Sequence, residues 1–129
     1  MSEVIDRFVR YAGVDTQSSE ESGLHPSTHK QKVLGHMLAD GLEKIGASDV
    51  YTDEHNYVYA YIPATDGGAS DKVLGFIAHM DTSPAMSGAG VKPRCIPDYD
   101  GRDVCLNREK NIVLSVRDFP ELKSILEKN

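Results

Sequence analysis

The sequence predicts an α/β fold, a mixed β-sheet with flanking helices, on three observations. Two helical patterns open the chain, two β-rich stretches follow, and then comes the charge-free run Val73-Leu74-Gly75-Phe76-Ile77-Ala78. The order helix, helix, strand, strand, strand is that of an α/β layer. At 129 residues, with 40% hydrophobic and 26% charged residues, the chain has the size and composition of one soluble globular domain.

Each element has its own justification. From Ser2 to about Tyr11, Val4, Ile5, Phe8 and Val9 recur at helical spacing with Glu3 in the first turn, so a short amphipathic helix ends near Gly13. Asp15 to Gly23 is polar and rich in breakers, a surface loop. A second helix is expected after Pro26, with Ser27 or Thr28 as N-cap, and Val33, Leu34, Met37, Leu38, Leu42 and Ile45 on one face up to Gly46. Asp49-Val50-Tyr51-Thr52 reads as a strand, Asp53 to Asn56 as a turn, and Tyr57 to Ile62 as a second strand stopped by Pro63. In that strand Tyr57, Tyr59 and Tyr61 share a face and are expected to pack against a helix. Asp66 to Asp71 is expected to be a tight connection into the apolar run, which reads as a strand buried on both faces. Beyond Pro84 the chain turns irregular, with short extended pieces at Asp103–Leu106 and Asn111–Ser115 and a last helix opened by Phe119-Pro120.

Composition excludes several function classes. A net charge of −6 and the absence of any basic stripe argue against nucleic acid as partner. No stretch is long and apolar enough to cross a bilayer, so no membrane partner is expected. The first residues lack the basic and apolar regions of a secretory signal. With Cys95 and Cys105 as the only cysteines, two reduced thiols in the cytoplasm are expected.

The chemistry concentrates at the end of the apolar run, in His79-Met80-Asp81, before Thr82-Ser83-Pro84 turns the chain away. On an extended backbone, residues two apart project to the same side. Asp81 can then accept a hydrogen bond from one ring nitrogen of His79, fixing the tautomer and leaving the other nitrogen for a metal. Ligands gather at the carboxyl ends of strands in open α/β sheets. The spacing by itself fits a hydrogen-bonded structural pair better than a metal site; the strand-end setting is what raises the metal reading.

The decapeptide Gly75-Phe76-Ile77-Ala78-His79-Met80-Asp81-Thr82-Ser83-Pro84 resembles the first metal motif of the peptidase T family of zinc-dependent aminotripeptidases. Val14-Asp15-Thr16-Gln17-Ser18, Pro26-Ser27-Thr28, Tyr59 to Ala64, Ser87-Gly88 and Phe119-Pro120-Glu121-Leu122 are similar to other stretches of that family, in the same order. The resemblance implies that residues 1–129 form the N-terminal part of a di-zinc exopeptidase catalytic domain. The complete enzyme would hold two zinc ions and remove the N-terminal residue from tripeptides; a homo-oligomer is compatible with that reading. His79 would ligate one zinc, and Asp81 would belong to the catalytic set as the carboxylate that holds its imidazole. In the family, paired metals polarise the scissile carbonyl and activate a bridging water while a carboxylate base takes its proton. The family's bridging Asp, its adjacent Glu pair and its remaining ligands would lie past Asn129, so the isolated chain is expected to be inactive and metal-free. Two other readings stay open: an interaction module that keeps the fold without the chemistry, and a sibling di-zinc dipeptidase or deacylase. The continuation Thr82-Ser83-Pro84 favours peptidase T.

The remaining polar residues have plainer expectations. His29 and His36, two turns or roughly 10 Å apart on a helix, His25 in a loop and His55 in a turn read as surface groups. Pro26 breaks the helix that a His25–His29 metal pair would need. Asp98, Asp100 and Asp103 lack the Gly and terminal Glu of a calcium loop and read as turn residues. Cys95 and Cys105 have no His companion and read as packing residues.

Overall fold

The structure, a computed structural model, describes residues 2–65 and 72–128. It resolves into two compact units, Met1–Pro93 and Arg94–Asn129. Among the described residues two helices come first, four short antiparallel strands follow and a 3₁₀ helix comes last, an α/β arrangement.

In the first unit, α1 spans Glu3–Ala12 and is braced by an Arg7–Glu3 ion pair at 2.6 Å, one turn apart. Its apolar stripe stays open, with Val4 and Phe8 exposed; Tyr11 reaches the second helix, its hydroxyl lying over Gly41. Helix α2 spans Gln31–Lys44 and buries Leu34, the one buried hydrophobic side chain among the described residues. It ends in a Schellman motif: Gly46, at φ +86°, donates to Glu43 O, and Ala47 donates to Leu42 O. The expected N-cap is displaced. Helix α2 begins at Gln31 with no side-chain cap, because the Ser27 and Thr28 hydroxyls are engaged by the preceding loop. Ser27 Oγ accepts from Ser19 N–H at 3.1 Å, and Thr28 Oγ1 donates to Gln17 O at 2.8 Å.

Strands β1 (Ser48–Thr52) and β2 (Val58–Tyr61) pair antiparallel, Tyr51 opposite Tyr59, with a bulge between Ser48 and Tyr51. The turn between them is built by Asp53, whose Oδ1 accepts the N–H groups of His55 and Tyr57 at 3.0 and 2.8 Å. Asn56 completes it at φ +68°, a left-handed conformation that asparagine tolerates. The tyrosine row is not packed under a helix. Tyr57, Tyr59 and Tyr61 are all exposed, and Tyr59 stacks instead on Tyr51, ring centroids 4.7 Å apart.

The largest departure concerns the apolar run. Residues 73–78 form no strand and are not buried: Val73, Leu74, Phe76 and Ile77 are exposed by 85, 78, 88 and 101%. A strand exists only where a neighbouring strand takes its N–H and C=O groups, and among the described residues none lies beside this run. The connection expected over 66–71 lies outside the described residues. Among the described residues the strands form two two-stranded antiparallel sheets, plus one isolated parallel bridge between Gln17 and Thr82, rather than one mixed sheet.

In the second unit, β3 (Val104–Asn107) and β4 (Ile112–Leu114) form a hairpin, close to the two extended pieces expected there. The last helix is present from Pro120 to Lys128 but is a 3₁₀ helix. Its Leu126 packs onto Gly101, where φ is +78° and an added Cβ would lie 2.5 Å from the leucine. Among the described residues no helix is long and apolar enough to cross a membrane.

Candidate metal centre

The site is built from the segment His79–Pro84, held from both sides. On one side stands the loop after α1. Thr82 donates its N–H to Thr16 O at 3.1 Å, and Thr82 O accepts from both the N–H and the hydroxyl of Ser18 at 2.9 Å. Gln17 Nε2 donates to Pro84 O at 2.9 Å. Lys30, just before α2, donates to Asp15 Oδ2 at 3.0 Å and to Gln17 Oε1 at 3.3 Å, tying this loop to the helix. The Lys30 ammonium and, after it, the Gln17 N–H hold the Asp15 carboxyl below its usual range. Gly88 closes the arrangement, since a Cβ there would meet Asp15 Oδ1 at 2.6 Å.

On the other side stands Asn56, 4% exposed. Its Nδ2 donates to Gln31 O at 3.3 Å and lies 3.2 Å from Met80 Sδ, while its amide fills the space beside Gly35. A buried amide earns its place only by satisfying its polar atoms. Here it joins α2, the β1–β2 turn and the residue between His79 and Asp81.

Between these two anchors, His79 Nδ1 lies 3.1 Å from Asp81 Oδ1. A carboxylate only accepts, so Nδ1 carries the proton in this bond and Nε2, across the ring, is the lone-pair donor left for a cation. The imidazole is 84% exposed, turned outward. It opens on a cleft of about 370 Å³ lined also by His25, Gln31, His55 and Asn56. His25 and His55, expected as solvated groups of a loop and a turn, approach edge to face with centroids 6.3 Å apart and share a wall of the same cleft. A larger, apolar cleft of about 750 Å³ lies between α1, α2, β2 and Phe76–Met80.

The other candidates sit elsewhere. His29 is exposed in the turn before α2, so it does not share the helix with His36, which is exposed on it. In the second unit Asp103 Oδ1 accepts Val116 N–H at 2.7 Å, and Asp100 holds Arg102 N–H and Nε at 3.1 and 2.7 Å, which is turn and ion-pair chemistry. Cys95 is exposed and Cys105 half-buried, both as free thiols. Among the described residues no three His, Cys, Asp or Glu side chains are grouped to hold a metal ion. Zinc takes about three or four protein donors, so the described residues fit one position of such a site, His79 Nε2.

Comparison with known proteins adds the frame for this geometry. The chain is 52% identical over 122 residues to the peptidase T of Clostridium acetobutylicum, covering 95% of this chain and 30% of that protein. It is 48% identical over 128 residues to the peptidase T of Clostridium novyi, and 50% identical over 128 residues to that of Desulfitobacterium hafniense. Each of these two matches covers 99% of this chain and 31% of the relative. The chain thus spans about 30% of the length of the curated relatives it matches. No family model matches it.

Proposed function

We propose that this chain, similar over nearly its whole length to peptidase T, is the N-terminal part of the catalytic domain of a zinc-dependent aminotripeptidase. One observation carries the reading: the His79–Asp81 pair, 3.1 Å apart and turned outward, lies inside a stretch matched by peptidase T at 52% identity. In this proposal His79 Nε2 is one zinc ligand. Asp81 is the positioning carboxylate that holds the ring and its tautomer. The chemistry that zinc supplies when bound is Lewis acidity toward the scissile carbonyl of a peptide and toward water.

What the chain's own residues contribute is orientation. The Thr16–Thr82 and Gln17–Pro84 bonds fix the backbone just after Asp81, and Asn56 fixes Met80 just before it. The ring therefore meets an incoming ion with little left to order. The cleft beside it would receive part of a short peptide. The remaining ligands and the general base belong, on this reading, to polypeptide that the chain does not span, so the chain alone is inactive. The cytoplasm is the compartment that suits its free thiols.

The test joins this chain in frame to the part of Clostridium acetobutylicum peptidase T that it does not match, and measures zinc content and tripeptide hydrolysis. We expect zinc and tripeptidase activity in the chimera. His79→Ala should remove both, and Asp81→Ala should lower activity or zinc affinity by about 10- to 100-fold. A folded chimera whose zinc and activity are untouched by His79→Ala would refute the assignment.

A further inference from the structure

Asp100-Gly101 lies in the second unit, in the turn that leads into β3. The pair carries a chemistry of its own. Glycine has no Cβ to shield its backbone nitrogen, and that nitrogen closes a five-membered ring when it bonds to the aspartate Cγ. Among the described residues no acceptor takes the Gly101 N–H. The Asp100 side chain is half exposed, so water reaches it.

One residue opposes that reaction. Arg102 Nε donates to Asp100 Oδ2 at 2.7 Å, Arg102 Nη2 contacts the same oxygen, and the Arg102 N–H donates to Oδ1 at 3.1 Å. Residue 102 thus engages both carboxylate oxygens. Its own carbonyl accepts from the Tyr99 hydroxyl at 2.7 Å, which ties it back across the turn. The Arg102 guanidinium and, after it, the Arg102 N–H hold the Asp100 carboxyl below its usual range. Gly101 is set at φ +78°, with Leu126 packed where a Cβ would stand.

We propose that Asp100-Gly101 is a modification site, where aspartate isomerises through a succinimide to isoaspartate, and that Arg102 is the residue that restrains it. In the first step the Gly101 nitrogen bonds to Asp100 Cγ, and its proton leaves with the Cγ hydroxyl as water. Water then adds to either ring carbonyl. Breaking the Cγ–N bond restores aspartate; breaking the bond between N and the main-chain carbonyl carbon leaves the chain running through Cγ. One water is lost and one regained, so the atoms balance with no other reactant. Ring closure proceeds from the neutral acid, whose hydroxyl can depart as water. Arg102 slows it by keeping the carboxylate charged and by pinning both oxygens with charge-assisted bonds. The product carries an extra methylene in the main chain and lacks the side-chain carboxylate that Arg102 grips, so the turn under Leu126 is lost. This inference is independent of the metal reading, which concerns the first unit.

The experiment incubates the intact chain in neutral buffer and counts isoaspartate at position 100 by peptide mass spectrometry with electron-transfer fragmentation, which separates the two linkages. Hydrogen exchange over β3 and β4 reports whether the hairpin stays folded. We expect Arg102→Ala to isomerise about 10-fold faster than the unchanged chain. Arg117→Ala, at an exposed arginine of the same unit, should leave the rate as it is. In urea, where the grip is gone, the unchanged chain and Arg102→Ala should react within about 2-fold of each other. If alanine opens the hairpin, Arg102→Lys, which keeps the cation without the two-nitrogen grip, takes its place and should also be faster than the unchanged chain. The proposal is overturned if the folded Arg102 variant is no faster than the unchanged chain, if position 100 forms no isoaspartate even in urea, or if Arg117→Ala accelerates the reaction equally.

Discussion

Two adjoining segments, Val73–Ala78 and His79–Pro84, follow one another directly in the chain and have opposite fates. The second is held by backbone bonds from Thr16 and Ser18, by Gln17, and by the buried amide of Asn56. The first has exposed valine, leucine, phenylalanine and isoleucine and no ladder. The difference lies in where each finds its complement. Polar anchoring of His79–Pro84 is satisfied inside the unit, by residues near α1 and α2. The apolar run needs a neighbouring strand, and none among the described residues supplies one.

Substitutions in the two segments and at their anchors separate the two cases. The largest effect is expected at Asn56, where Asn56→Ala removes the bond to Gln31 O and places alanine at φ +68°. A loss of about 3 kcal/mol, read by urea unfolding, is expected. Next comes Gly35→Ala, whose Cβ would lie 2.2 Å from Asn56 Oδ1; overpacking outweighs the helical gain and costs about 2 kcal/mol. Combined with Asn56→Ala the same change should stabilise by about 1 kcal/mol, since the obstacle is gone and helix propensity remains. Additive losses would show that Asn56 is not the peg.

A smaller effect is tied to acid. The Asp15 carboxyl titrates below its unfolded value because of Lys30 and the Gln17 N–H. Its contribution is therefore present above the unfolded value and lost as pH falls through the depressed one. Unfolding midpoints should drop below about pH 4, and Lys30→Met should flatten that drop. An unchanged acid limb would mean the pair orients the loop without stabilising it. The smallest effect is expected in the run itself: Phe76→Ser should alter the stability of the chain alone by less than about 0.5 kcal/mol. A larger loss would show that Phe76 already packs within this unit.

Much of this was legible in the sequence. The periodicity of Val4, Ile5 and Phe8 marks α1, the glycine at 46 marks the end of α2, and the Asp53–Asn56 turn separates β1 from β2. The spacing of His79 and Asp81 anticipated that their side chains could meet. Three features were hidden for physical reasons. Composition identifies Val73–Ala78 as strand-like, but a strand is a property of two segments, and composition says nothing about the second. The Ser27 and Thr28 hydroxyls look like caps, and only the fold shows that Ser19 and Gln17 reach them first. The anchors of the site act across 24 to 67 positions of chain, so no local pattern joins Asn56 to Met80 or Gln17 to Pro84. The signal the sequence did carry is the asparagine itself at the end of the Asp53–Asn56 turn, a residue type that tolerates the positive φ found there.

The uncovered run also bears on the life of the polypeptide in a cell. Chaperones and proteases sort molecules by greasy segments left in water, and such surveillance sets abundance as much as synthesis does. The exposed side chains of Val73, Leu74, Phe76 and Ile77 are such a mark, and they place the abundance of this chain under that surveillance as well as under its synthesis.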